Sequence, residues 1–233
     1  MIRSIKKYTS ALQHLFFPHQ CSGCGVDFIS QSTFICARCN SALPSTNFLN
    51  IPHNPIENIF SGRITTQACG AMFYFTKNSL LQHLLIQLKY KNNREAGYFL
   101  GRQLGYLLKE SSRFSSVDCI VPLPLHPKKE YQRGYNQANL IGDGISAVWQ
   151  KPQYKSALTR LIYTKTQTHE NRISRWENMD GVFHVLENQQ LMNKHVLLID
   201  DVITTGASLE ACGAAILAVP GTRLSIATVA YTV

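Results

Sequence analysis

The 233-residue sequence predicts an α/β fold, a mostly parallel sheet flanked by helices, with a small four-cysteine module at its N-terminal end. Three observations carry that expectation. Short apolar runs of strand character alternate with stretches of helical leucine spacing, the order that builds a parallel sheet covered on both faces. The run 196–199 leads into two adjacent carboxylates, Asp200 and Asp201, and then into the small-residue segment Thr204-Thr205-Gly206-Ala207-Ser208. Four of the seven cysteines stand as two Cys-x-x-Cys pairs near the start of the chain.

Taken in order, residues 9–17 read as a short helix with aromatic and leucine side chains on one side. Arg3, Lys6 and Lys7 precede it, but no apolar core of signal-peptide length follows. Cys21 and Cys24 are separated from Cys36 and Cys39 by eleven residues, and Gly23 and Gly25 permit tight turns. Four such thiolates can enclose one tetrahedral zinc ion and leave no coordination position open, so the expected metal is structural. The segment around them is too short for a core of its own, and metal binding would supply its folding energy. A disulfide pair is the alternative, and a reducing cytoplasm disfavours it. Cys69, Cys119 and Cys212 lie in apolar surroundings and are expected as buried thiols.

The expected zinc module spans residues 1–45, and a Pro- and Asn-rich linker covers 46–56. The remaining domain covers 57–233, with 57–113 as a hood and helical segment. Alternation over 68–75 predicts a strand. Helical spacing follows at 80–89, through Leu81, Leu84, Leu85 and Leu88, and at 96–108, through Phe99, Leu100, Leu104 and Leu107. A basic turn, 89–94, joins them. Residues 118–121 predict a strand that exits into Pro122-Leu-Pro-Leu125, and 136–149 a helix. A helix from 209 to 219 follows the small-residue segment, and 228–233 predicts a closing strand.

Ligands of open α/β sheets bind beyond the carboxyl ends of the strands. A loop of small residues entering a helix can aim several backbone N–H groups at a phosphate, helped by the helix dipole. Neighbouring carboxylates suit sugar hydroxyls or a divalent cation. The plainer alternative is a strand end followed by a capped helix.

With strand, acid pair, Thr-Gly and hydroxyl in order, segment 196–208 resembles the 5-phosphoribosyl-1-pyrophosphate (PRPP) signature of type I phosphoribosyltransferases. The resemblance implies that Asp200 and Asp201 hold the ribose hydroxyls and that Thr204, Thr205, Gly206, Ala207 and Ser208 cradle the 5′-phosphate, with Mg2+ accompanying PRPP. A narrower resemblance rests on Val121-Pro-Leu-Pro-Leu-His-Pro127, on Arg133-Gly-Tyr-Asn-Gln137, on Thr166-Gln167, on Asn171-Arg172 and on Gly181-Val-Phe183. Together with the cysteine pairs, these are similar to the ComF/GntX family of competence-associated phosphoribosyltransferase-like proteins. That family implies a role in natural transformation and DNA uptake, with single-stranded DNA and a competence helicase as partners. Tyr135 stands where the family commonly has Phe, and Lys128-Lys129 where an Arg is common; lysine cannot reproduce a bidentate arginine fork.

Leu123 and Pro124 lie in the stiffened strand exit that resembles the family's pyrophosphate loop. Arg133, beside Gly134, can bring a guanidinium and an open backbone to one anion. Asn136 and Gln137 either cap the helix they open or touch ligand. Residues 163–178 resemble the mobile loop that closes over PRPP, which makes Lys165 and Arg172 the candidates for pyrophosphate contact, with a solvated basic loop as the alternative; His169 is expected at the surface.

The formal charge is +9, with nine basic residues against three acids over 128–175 and eight against two over 63–113. Such an excess suits nucleic acid or a polyphosphate substrate. Lys89, Lys91 and Arg94 around Tyr90 are the nucleic-acid candidates; core or loop packing is the alternative role for Tyr90, Tyr131 and Tyr135. No apolar run approaches the roughly 18 residues of a membrane span, so no membrane insertion and a cytoplasmic location are expected. Three functions stay open at this point: a transferase moving phosphoribosyl to a nitrogen acceptor, a PRPP-binding protein without turnover, and a zinc-containing nucleic-acid adaptor.

Overall fold

The apolar runs form one parallel sheet, and the leucine-spaced segments cover it. Residues 19–27, 33–162 and 181–232 are described by a computed structural model. Helices α1 (Ala37–Ser41) and α2 (Pro55–Phe60) precede strand β1 (Cys69–Phe75). Helices α3 (Leu80–Tyr90) and α4 (Arg94–Glu110) lead to β2 (Cys119–Pro122), α5 (Pro127–Arg133) and α6 (Gln137–Trp149). After β3 (Leu158–Arg160), β4 (Phe183–Val185) and α7 (Asn188–Leu191) come β5 (His195–Ile203), α8 (Ala207–Leu217) and β6 (Arg223–Thr232). The sheet order is β1-β6-β5-β2, every neighbour parallel, and β3 and β4 make a separate antiparallel pair.

Alternation along β5 divides the interior. Leu197 and Ile199 join a core with Leu84, Leu100, Leu104 and Ile141, from the α3, α4 and α6 side. Val196 and Leu198 join the other, with Phe60, Leu209 and Ile216 from α2 and α8. A strand buried on both faces reads as a continuous apolar run, which is why 196–199 was visible.

Helix α4 lies unusually close to α6. A Cβ placed on Gly97 would meet Leu140 Cβ at 2.9 Å, one on Gly105 would meet the Ile145 Cα at 3.0 Å, and one on Gly144 would meet the Arg102 amide nitrogen at 2.7 Å. The glycines thus remove the side chains that would hold the two helices apart.

The cysteine segment is docked on α3. Gln87 Nε2 donates to the Ser22 carbonyl at 2.9 Å, the Phe34 and Phe99 rings are 5.1 Å apart, and Cys21, Cys39 and Leu43 share the core of Leu81. Residues between that segment and α2 bind β1: Tyr74 N–H donates to Pro44 O at 2.8 Å, and Asn54 Nδ2 donates to Phe48 O, Ile51 O and Cys69 O. The helix read at 9–17 lies outside the described residues. Among the described residues, no helix is long and apolar enough to cross a membrane.

Strand β6 starts at Arg223, five residues before the strand read at 228, α2, β3, β4 and α7 were not read, and two further differences bear on the site. Strand β5 runs on through the acid pair to Ile203, because β6 supplies ladder partners there: Asp200 pairs with Thr228 and Ile203 with Tyr231. Helix α5 went unread because none of its residues is buried, so it carries no apolar period; Pro127 starts it and Gly134, at φ 81°, ends it.

Candidate functional site

Strand β2 stops at Pro122 opposite Ile199, while β5 continues past it. Leu123 N–H closes the register on Ile199 O at 2.9 Å, and beyond that point β5 carries Asp200 and Asp201. Asp201 is buried, and its amide donates to Asp200 Oδ1 at 2.8 Å. Lys89 reaches in from the end of α3 and sets its Nζ 2.8 Å from Asp201 Oδ2. Burial opposes charge on Lys89, but the carboxylate of Asp201, and then that of Asp200, outweigh it and raise its pKa. Asp200 is pushed up to about 7 by burial and by the negative charge of Asp201, against the pull of Lys89 and Arg160. The pair therefore holds a proton more readily than two solvated carboxylates.

The chain then turns through Thr204 and Thr205 into α8. Gly206 has φ 77°, and a Cβ there would stand 2.7 Å from Ile59 Cγ2, so both backbone and space require glycine. Gly206 is also the N-cap residue and offers no side chain to the first amides of α8; Thr205 Oγ1 accepts from Ala207 N–H at 3.5 Å. Thr204 is exposed, Thr205, Ala207 and Ser208 half-buried, and Gly206 buried.

Basic groups gather on the side of the acids. Burial, then Arg160, then Arg133 lower the pKa of Lys129, and the charge of Asp200 is felt by Arg160. Arg160 is buried, with its guanidinium 5.3 Å from the Phe183 ring centre. Arg133 donates to Gln137 Oε1 and stands 5.6 Å over the Tyr90 ring. Asn136 caps α6, its Oδ1 accepting from Ala138 N–H at 3.0 Å while Nδ2 donates to Leu123 O at 3.0 Å. Gln137 is buried, and its Nε2 has no hydrogen-bond partner among the described residues.

Not every residue expected at the site presents the group expected of it. Leu123 has spent both its N–H and its C=O, and Pro124 has no N–H, so neither offers an amide to an anion; they fix the course of the loop. Lys89, read with Lys91 and Arg94 as a nucleic-acid contact, turns inward, since a partly buried carboxylate holds an ammonium better than water does. Lys91 and Arg94 are exposed, with the Arg94 guanidinium 5.0 Å over the Tyr135 ring. Tyr135 itself is buried and donates its hydroxyl to Leu88 O. Lys165, Arg172 and His169 lie outside the described residues.

The four N-terminal cysteines form a second constellation. Their Sγ atoms all lie within 4.8 Å of one another, and Cys24 and Cys36 are 3.8 Å apart. Metal–sulfur bonds of about 2.3 Å give a tetrahedron with edges of about 3.8 Å, so the cluster fits one ion. Cys21 Sγ accepts N–H groups from Cys36 at 3.1 Å and Gly23 at 3.4 Å, which favours a thiolate. By contrast, burial pushes Cys69 up to about 12 and Cys119 up to about 11, as expected of inert core thiols.

The chain is 29% identical over 134 residues to Competence protein F of Haemophilus influenzae, covering 56% of this chain and 58% of that one. It is related to the competence F proteins. DNA utilization protein YhgH of Escherichia coli is 30% identical over 133 residues, 55% of this chain and 57% of that protein. Competence protein ComFC of Bacillus subtilis is 27% identical over 141 residues, 58% and 53% of the respective chains. The chain thus spans a little over half the length of the curated relatives it matches. No family model matches it. Among solved structures, the glutamine PRPP amidotransferase of B. subtilis complexed with ADP and GMP aligns with a TM-score of 0.39 at 13% identity, covering 60% of this chain and 30% of that one.

Several site residues were invisible beforehand. Arg160 is the third residue of a three-residue strand, and its nearness to Asp200 depends on how β3 is set against the sheet. The Lys89–Asp201 pair spans most of the domain in sequence. Gln137 was read as either a cap or a ligand contact; Asn136 takes the cap, and the burial of Gln137 was not readable.

Proposed function

We propose that this chain binds PRPP or a related phosphoribosyl ligand at the exit of β5 and serves DNA uptake in natural competence. The observation that carries the reading is the sequence of groups along one backbone: a carboxylate pair two residues before the end of β5, then the glycine-capped start of α8. In this reading Asp200 and Asp201 hold the ribose hydroxyls. The amides opening α8, with the hydroxyls of Thr204, Thr205 and Ser208, hold the 5′-phosphate. Arg133, Lys129 and Arg160 answer the pyrophosphate, joined by Lys165 and Arg172, and Mg2+ neutralises pyrophosphate oxygens when bound with the ligand. If turnover occurs, these groups act by positioning and by charge, as an oxocarbenium-like transition state demands.

The competence role is supported by what the relatives are called, and single-stranded DNA with a helicase as partner is part of the same proposal. Cys21, Cys24, Cys36 and Cys39 are assigned to a structural zinc ion, and the thiol content fits a cytoplasmic location.

Calorimetric titration with Mg2+ and PRPP tests the ligand reading. Micromolar binding to the zinc-loaded protein, abolished in the Asp200→Asn/Asp201→Asn double variant, is the expected result. A folded wild-type protein that takes up no PRPP would overturn it.

A further inference from the structure

The outward face of α4 takes no part in the site above. Its inward face is pinned to α6 by Gly97, Gly101 and Gly105, so the helix is a rigid mount. Tyr98, Arg102 and Tyr106 lie on the other side, all exposed, with Tyr98 at 43% and Tyr106 at 47%; Arg94, exposed as well, begins the row with its guanidinium over the Tyr135 ring and 3.3 Å from Gly134 O. Their four-residue spacing makes a single ridge of alternating cation and aromatic along the helix. Arg102 Nη2 donates to the Tyr106 hydroxyl at 3.4 Å. In the turn before α4, Lys91 and Tyr90 are exposed, Tyr90 to 74%, and the Arg133 guanidinium stands 5.6 Å over one face of the Tyr90 ring. Lys109 lies beside the row, Glu110, four residues beyond Tyr106, ends it with an acid, and Glu95 stands next to Arg94.

We propose that this ridge docks single-stranded nucleic acid, with Tyr90, Tyr98 and Tyr106 stacking on bases and Lys91, Arg94 and Arg102 facing phosphates. Tyrosines half open to solvent and flanked by guanidinium groups are what sequence-tolerant stacking needs. From Arg94 to Tyr106 the ridge is about 18 Å long. Tyrosine and arginine also recur at protein interfaces, but there they surround a more apolar centre, so a protein partner is the poorer fit. Here Leu100, Leu104 and Leu108 are buried on the opposite side, and the exposed row has no aliphatic centre.

The inference rests on the DNA-uptake reading, and the test separates the two. Fluorescence anisotropy of a labelled oligothymidylate is compared for wild type, Tyr98→Ala, Tyr106→Ala, Tyr98→Phe and Arg94→Gln/Arg102→Gln, each checked for folding by circular dichroism. Each tyrosine-to-alanine change is expected to raise Kd about tenfold, while Tyr98→Phe keeps near wild-type affinity. The double arginine change should reduce the slope of log K against log salt by about 1.4. Wild type that binds no oligothymidylate overturns the single-strand reading and this surface with it. Wild type that binds, with variants binding equally well, overturns the α4 assignment alone. Duplex DNA bound as tightly as single strands also overturns it, because paired bases offer no free faces.

Discussion

Lys89 Nζ and Asp201 Oδ2 lie 2.8 Å apart, joining the last turn of α3 to the edge of β5. The lysine side chain retains 26% of its exposure and the aspartate 9%, so the pair is largely withdrawn from water. Removing one partner leaves the other charge buried, and Asp201 already faces Asp200.

Lys89→Met keeps the length of the side chain and deletes its charge. At pH 8 it should destabilise the fold by about 2–3 kcal/mol, below the range for fully buried pairs because Lys89 keeps some solvent. At pH 5 the loss should fall by half or more, since the acid pair then takes up a proton. The lysine's own raised pKa does not enter this window, because its contribution is lost only as pH rises above the ordinary lysine range. Urea denaturation at the two pH values measures both numbers. Equal losses at pH 5 and pH 8 would show that Lys89 contributes packing rather than charge.

Asp200 gives the opposite sign. Its folded pKa of about 7 stands above the value of 3.8 for a solvated aspartate, so between those values the folded chain binds a proton that the unfolded chain has released. Stability from this group therefore falls as pH rises from about 4 to about 7 and is flat beyond. Asp200→Asn removes the charge and should raise the melting temperature at pH 8 by about 6 °C, corresponding to about 2 kcal/mol. Near pH 4 the variant and wild type should melt together. A variant less stable than wild type at pH 8 would mean that Asp200 is held as a carboxylate by partners stronger than Lys89 and Arg160.

Features written in contiguous residues were readable, and those made by distant segments were not. The run 196–199 and the leucine spacing of α3 each carry their own period, so strand and helix were visible. The Asp200-Asp201 pair hid the end of β5, because carboxylates in a strand look like a strand terminus until β6 is known to pair beside them. Helix α5 has no buried face, and β3 and β4 are three residues each, too short to show alternation. Arg160 and Lys89 reach the acids only through the tertiary arrangement, and a cation with no local partner reads simply as surface charge. The glycine spacing of α4, by contrast, was in plain view and marks close helix contact once α6 is set against it.

The cysteine cluster and the acid pair are connected through α3, which makes metal removal informative. Cys21 and Cys39 share a core with Leu81, a Cβ on Gly23 would touch Leu80 Cδ1 at 2.8 Å, and Gln87 is bonded to Ser22. The far end of that same helix carries Lys89. Without a metal the four sulfurs lose the bonds that tie the two cysteine pairs together, so chelation should open the segment and withdraw packing from α3. Hydrogen exchange should then quicken in α1 and α3, while β5 and β6 keep their protection. Cys24→Ser is the matched variant: Cys24 is exposed, so the change removes one of the four clustered thiols with little loss of packing. Metal analysis of purified reduced protein should give about one zinc per chain for wild type and markedly less for the variant. Exchange in α3 that is unchanged by chelation would show that the cysteine segment rests on the helix without supporting it.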